Sequence, residues 1–123
     1  MKEIAGGVTS AKGFEAAGAE AAVKYKNRKD MALVYSTAPC KVAGTFTTNV
    51  VKAAPVLWDK QVVENSAFAQ AVVVNSGIAN ACTGNPGMDC CKAEAEHAGK
   101  LLGIPAEAVL VASTGVIGMA MPV

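Results

Sequence analysis

Beyond residue 30 the alternation of apolar and polar positions becomes regular enough to assign elements. Residues 31–36 form a short apolar run closed by Pro39, the pattern of a buried strand. Residues 41–48 set Val42, Gly44, Phe46 and Thr48 against Ala43, Thr45 and Thr47, which predicts a strand with threonine-rich faces. Pro55 suits the first turn of a helix, where its missing N–H costs nothing. Val56, Asp59, Lys60 and Val63 follow at helical spacing, so a helix is expected over 54–64. Residues 71–75, with three consecutive valines, predict a strand buried on both faces. From Asn75 the chain runs into a stretch, 75–84, dense in Asn, Ser and Gly, that reads as a loop. The longest helix is expected over 87–102, where Met88, Cys91, Ala95, Ala98 and Leu102 share a face opposite Lys92, Glu96 and Lys100. Gly103 and Pro105 stop it. A last buried strand over 109–112 opens into Ser113-Thr114-Gly115 and an apolar tail over 116–123.

Ahead of these, residues 14–24 are compatible with an alanine-rich helix or with a strand pair, since Gly13 and Gly18 weaken the helical pattern. The order strand, strand, helix, strand, helix, strand predicts an α/β or α+β layer. There is no internal repeat and no Ser/Gly linker.

Composition narrows the partners. Eleven basic and ten acidic residues leave a net charge of +1, and 17% of the chain is charged. No basic stripe for nucleic acid can be built from that balance. Glu3, Gly6 and Gly7 interrupt the start at once, so no secretory leader is expected there. Of two charge-free runs, 65–88 is broken by Asn, Gly and Pro and 108–123 is too short for a bilayer. A cytoplasmic protein is the expectation. The sixteen uncharged residues of the second run have no polar cap, which suggests that they meet a partner surface.

Candidate chemistry is sparse. Cys40, Cys82, Cys90 and Cys91 allow disulfides by parity, but no C-x-x-C spacing occurs; reduced, partly buried thiols are expected and no metal site. His97, the single histidine, falls mid-helix, where a solvated role is the ordinary one. Glu94 and Glu96 point to different sides of that helix and make no acid–base pair. Two small polar clusters remain at strand ends, Asn75-Ser76-Gly77 with Asn80, and Ser113-Thr114-Gly115. A turn is the simplest account of each. The alternative for the second is a pair of convergent donors for an oxyanion, the Thr114 hydroxyl and the Gly115 amide.

Seven stretches, in order, carry a resemblance over nearly the whole chain. They are Gly6-Gly7-Val8-Thr9 with Lys12-Gly13-Phe14 and Ala17-Gly18; Lys29-Asp30-Met31-Ala32-Leu33; Ala43-Gly44-Thr45-Phe46-Thr47-Thr48-Asn49; Ala53-Ala54-Pro55-Val56; Val74-Asn75-Ser76-Gly77; Ala79-Asn80-Ala81-Cys82-Thr83-Gly84; and Ala112-Ser113-Thr114-Gly115-Val116-Ile117-Gly118. In these the chain resembles the amino-terminal part of the ornithine acetyltransferase, or glutamate N-acetyltransferase (ArgJ), family.

The resemblance implies one part of a layered α/β/β/α sandwich. It also implies acetyl transfer from N-acetylornithine to glutamate in arginine biosynthesis, through an acetyl-threonine intermediate formed after self-cleavage. Thr114 and Gly115 match the family's oxyanion hole. No cofactor is implied, although acetyl-CoA serves some members as a second donor. The expected partner is a second chain of the same precursor, bearing the amino-terminal threonine, in a tetramer of two chains of each kind. Residues 1–123 are then a single segment without the nucleophile. Ile78 departs from the family's Asn-Ser-Gly-Asn-Ala-Asn loop and should remove one polar group near the site. Two rival readings stay open, a non-catalytic assembly module and a related self-processing aminopeptidase.

Overall fold

The computed structural model describes residues 3–122. Met1, Lys2 and Val123, which enter the readings of the two ends above, lie outside the described residues. Among those described run β1 (Phe14–Ala19), β2 (Met31–Cys40), α1 (Ala54–Asn65), β3 (Ala69–Ile78), α2 (Gly84–Leu102) and β4 (Val109–Val116), with short 3-10 turns at Val8–Ser10 and Ala106–Ala108. The strands make one sheet in the order β1-β2-β3-β4. The first two pairings are antiparallel and the last is parallel. A parallel pair needs a crossover, and α2 supplies it. The fold is therefore mixed α/β, as the element order predicts.

Strand alternation decides which side chains meet the helices. Ala71 and Val73 of β3 stand level with Tyr35 and Leu33 of β2 and with Val109 and Val111 of β4. These pack with Ala54 and Trp58 of α1 and with Met88, Cys91, Ala95, Ala98 and Leu102 of α2 in one core. The α2 face is the one expected from its period. The alternate positions, Val34, Val72, Val74, Leu110 and Ala112, are only half-buried on the other side of the sheet.

β4 is an edge strand, and its outer backbone groups are taken by α1. The Trp58 indole Nε1–H donates to the Val109 carbonyl at 2.9 Å, and the Val111 N–H donates to Asp59 Oδ1 at 2.9 Å. Side chains from a helix thus finish hydrogen bonds that a further strand would otherwise make. The arrangement strains the acid. Burial pushes the Asp59 carboxyl up from its ordinary 3.8 to about 6, against the lowering effect of the Val111 N–H.

Four expectations need correction. Residues 41–48 form no strand; both sides of β2, the strand they follow, are occupied by β1 and β3. This segment runs toward α1, with Gly44 lying beside Phe46 and Val63. β3 extends to Ile78, so the Asn-Ser-Gly cluster is strand and not loop. β4 extends to Val116, so Ser113-Thr114-Gly115 is no turn after a strand. α2 begins at Gly84, one turn before the expected start. The open choice over 14–24 resolves to strand β1, which pairs with β2 from Phe14↔Ser36 to Ala19↔Met31.

The Asp59 geometry generates a pH test. A carboxyl raised in the folded state contributes fully below its unfolded pKa near 4, and that contribution is lost as pH rises through about 6. Asp59→Asn keeps an acceptor for Val111 and cannot ionise. Thermal unfolding should show it more stable than the parent at pH 7.5 by about 1 kcal/mol, a value already discounted for the part of the carboxyl that stays wet. The gain should vanish toward pH 4, and an equal gain at both pH values would contradict the burial account.

Candidate functional site

The parallel register brings the two polar clusters together. Asn75 stands opposite Ser113, Ser76 opposite Thr114 and Gly77 opposite Gly115. Neither cluster alone is unusual; side by side they form one polar strand end, where sites on layered sheets are commonly assembled. Thr114 and Gly115 are exposed, while Asn75 is 3% exposed.

The backbone here is held from several sides. The Thr114 hydroxyl Oγ1 donates to the Asn75 carbonyl at 3.2 Å. The Asn75 side-chain Nδ2 donates to the Ile78 carbonyl at 2.9 Å, closing a ring around Ser76 and Gly77. The Ser76 N–H donates to the Asp30 carbonyl at 2.8 Å, and the Ala79 N–H to the Val116 carbonyl at 2.9 Å. Asp30 is itself buried, and its carboxylate accepts the N–H groups of Ala21 and Val23, each at 2.7 Å. The hydrogen bond from Ala21, chief among the causes, holds this carboxyl below its ordinary range. Its support is therefore present above the ordinary carboxyl pKa and is lost as pH falls through the depressed one.

Gly115 has φ +135° and Gly77 φ +125°, both in territory that L side chains rarely adopt. The two peptides touch: a Cβ on Gly115 would overlap the Gly77 carbonyl and lie 2.6 Å from the Ile78 nitrogen. Absence of a side chain at 115 thus serves close strand contact. Two buried oxygens, Asn75 Oδ1 and Ser113 Oγ, have no hydrogen-bond partner among the described residues. They occupy paired positions on the helix side of the sheet.

The other candidates fall away from this strand end. His97 is exposed on α2, and Glu96 is paired with Lys92 at 3.8 Å. Glu94 is half-buried, with its carboxyl raised by burial. The four cysteines are free. Burial, ahead of Glu94, Asp59 and Cys90, pushes the Cys91 thiol up to about 12, which makes it inert. No cluster of three or more His, Cys, Asp or Glu among the described residues is arranged for a metal ion. Asn80 belongs to the fold: its Nδ2 donates to the Gly87 carbonyl at 2.8 Å, and its Oδ1 accepts from Thr83 Oγ1 at 2.6 Å. Ile78 is 2% exposed, so its departure from the resembled loop removes no polar group from the surface of the site.

A cavity of about 480 Å³ lies on the helix side, between the sheet and α2, with Met31, Leu33, Val73 and Asn75 against Glu94 and His97. Thr114 and Gly115 do not line it. The sequence alone does not single out Asp30, and it places Asn75 at the junction of strand and loop. The available signal was an Asn ending a run of three valines, where an apolar strand would not place it without a bonding role.

Gly115→Ala should lower stability by about 3 kcal/mol in thermal unfolding, through overlap with Gly77 together with backbone strain. Gly7→Ala, where nothing lies within 4 Å of the added carbon, should stay within about 0.5 kcal/mol. Equal, small effects at both positions would remove the close approach.

Residues 15–123 match the ArgJ family. The chain is 51% identical over 112 residues to the arginine biosynthesis bifunctional protein ArgJ of Thermotoga neapolitana, covering 90% of this chain and 28% of that protein. It is 53% identical over 116 residues to the protein of the same name from Streptomyces coelicolor, covering 94% and 30%. Among solved structures, ArgJ from Bacillus halodurans superposes with a TM-score of 0.88 at 42% identity, over 95% of this chain and 61% of that one. Ornithine acetyltransferase from Mycobacterium tuberculosis, solved with ornithine, also gives 0.88, at 45% identity over 94% and 63%. The chain thus spans about 30% of the length of the curated relatives it matches. No helix among the described residues is long and apolar enough to cross a membrane.

Proposed function

The chain belongs to the ArgJ family, and from that premise we propose that it is the oxyanion-hole segment of an acetyltransferase of arginine biosynthesis. The reaction moves an acetyl group from N-acetylornithine to glutamate in the cytoplasm. The names of the relatives support the pathway, and ornithine bound to the M. tuberculosis protein supports the substrate class. The nucleophile, an amino-terminal threonine, belongs to a second chain of the same precursor, with two copies of each chain in the assembly. Residues 1–123 act as one amino-terminal segment of that enzyme. The exposed Val116, Ile117 and Met119, beyond the site, are apolar surface for the partner to cover.

One observation carries the chemical assignment: Thr114 and Gly115 are adjacent and exposed at the end of β4, where an acyl group could approach. The threonine hydroxyl of the second chain adds to the acetyl carbonyl, whose oxygen becomes an oxyanion. The Gly115 N–H and the Thr114 O–H donate to it. The Thr114 hydroxyl rests on the Asn75 carbonyl. An oxyanion is a stronger acceptor than a peptide carbonyl, so the single O–H turns to it as charge develops. The gain is made in the transition state and lowers the barrier rather than merely binding substrate. Collapse of the adduct expels ornithine as the amine and leaves acetyl-threonine. Glutamate's amino group then attacks the ester through the same oxyanion and regenerates the threonine hydroxyl.

In the assembled enzyme, Thr114→Ala should lower kcat for transfer from N-acetylornithine to glutamate by about a hundredfold. Thr114→Ser, which keeps the hydroxyl, should retain most of the rate. Unchanged turnover in Thr114→Ala would remove that residue from the oxyanion hole. Denaturing mass spectrometry of the active enzyme should also show a second polypeptide whose first residue is threonine. Activity from this 12.4 kDa chain alone would contradict the division of labour.

A further inference from the structure

We propose that Asn75 is the positioning residue of the oxyanion hole, setting both donors through the backbone of residues 75–78. The inference rests on the reading of Thr114 and Gly115 above. Asn75 reaches the first donor through its main chain, whose carbonyl oxygen accepts the Thr114 hydroxyl at 3.2 Å and whose path the side-chain ring fixes. It reaches the second through Gly77. The Asn75 Nδ2 to Ile78 carbonyl bond, 2.9 Å and buried, closes a ring that contains Gly77, and Gly115 packs on the Gly77 peptide.

The neighbouring bonds do different work. Ser76 N–H to the Asp30 carbonyl and Ala79 N–H to the Val116 carbonyl tie the segment sideways to other parts of the chain. The Asn75 side chain ties it to itself and so orients the peptides that face β4. Asn75 is 3% exposed and its side chain lies on the helix side of the sheet, opposite Thr114. It therefore acts through the donors and does not touch substrate. An oxyanion hole depends on sub-ångström placement of its donors, so loosening this ring should affect the transition state more than substrate binding.

A double-mutant cycle in the assembled enzyme tests this, with kcat and KM measured for acetyl transfer from N-acetylornithine to glutamate. Asn75→Ala should lower kcat about tenfold and leave KM within about twofold. In a Thr114→Ala background the same substitution should cost less than about threefold, because much of what it disturbs is already gone. In a Thr114→Ser background the tenfold loss should return. A loss of equal size in all three backgrounds would overturn the proposal, as would a raised KM with unchanged kcat. If Asn75→Ala does not accumulate as folded enzyme, Asn75→Asp keeps the volume without the donor at neutral pH and runs through the same cycle. Unchanged turnover in Thr114→Ala alone takes down the oxyanion-hole reading and this inference together. A hundredfold loss there with an uncoupled Asn75 removes only the positioning role.

Discussion

Parallel pairing of β3 with β4, in a register that runs from Ala71↔Val109 to Ile78↔Val116, is the constraint on which the rest depends. It requires a crossover, and the crossover sets the position of α2 over the sheet. It aligns Val109 and Val111 with Ala71 and Val73, so that one buried layer can close beneath both helices. It also brings Asn75, Ser76 and Gly77 level with Ser113, Thr114 and Gly115. A slip of one residue would turn the buried valines to the other face and take Gly115 off the Gly77 peptide on which it packs.

The two faces of the sheet divide the protein's tasks. The helix side holds the core, built from small and medium apolar groups fitted between the strands and two helices, beside the cavity between the sheet and α2. The edge of β4 is sealed by Trp58 and Asp59, and the second of these carries a carboxyl into surroundings that disfavour its charge. Alanine and cysteine at the α2 contact let the helix lie close to the sheet, and close contact keeps β3 and β4 from moving independently. The oxyanion-hole role proposed for Thr114 and Gly115 would depend on such rigidity. The other side, with Val34, Val72, Val74 and Leu110 half-buried, and the tail beyond β4 remain apolar and open.

Much of this was legible in the residues alone. Pro55 marked the start of α1, the apolar period of α2 marked its buried face, and Gly103 ended it in a left-handed conformation. Each is a local property: ring geometry, a repeat near 3.6, or backbone freedom. Thr114 and Gly115 came from ordered motifs over the whole chain, not from periodicity, since Ser-Thr-Gly by itself reads as a turn.

Local pattern failed wherever a neighbouring strand decided the outcome. Residues 41–48 alternate as a strand should, yet both sides of β2 were already taken. Asn75-Ser76-Gly77 and Ser113-Thr114-Gly115 have the composition of turns, yet each supplied the other with a backbone to bond, and both became strand. The residues by themselves determined both helices, the apolar parts of β2, β3 and β4, the mixed α/β class and the family. The tertiary structure alone decided that two distant polar clusters share one strand end, that Asn75 turns inward to hold it, and that Asp59 seals an edge. Hydrogen bonds between remote backbones and the close approach of Gly77 and Gly115 exist only once the sheet has formed.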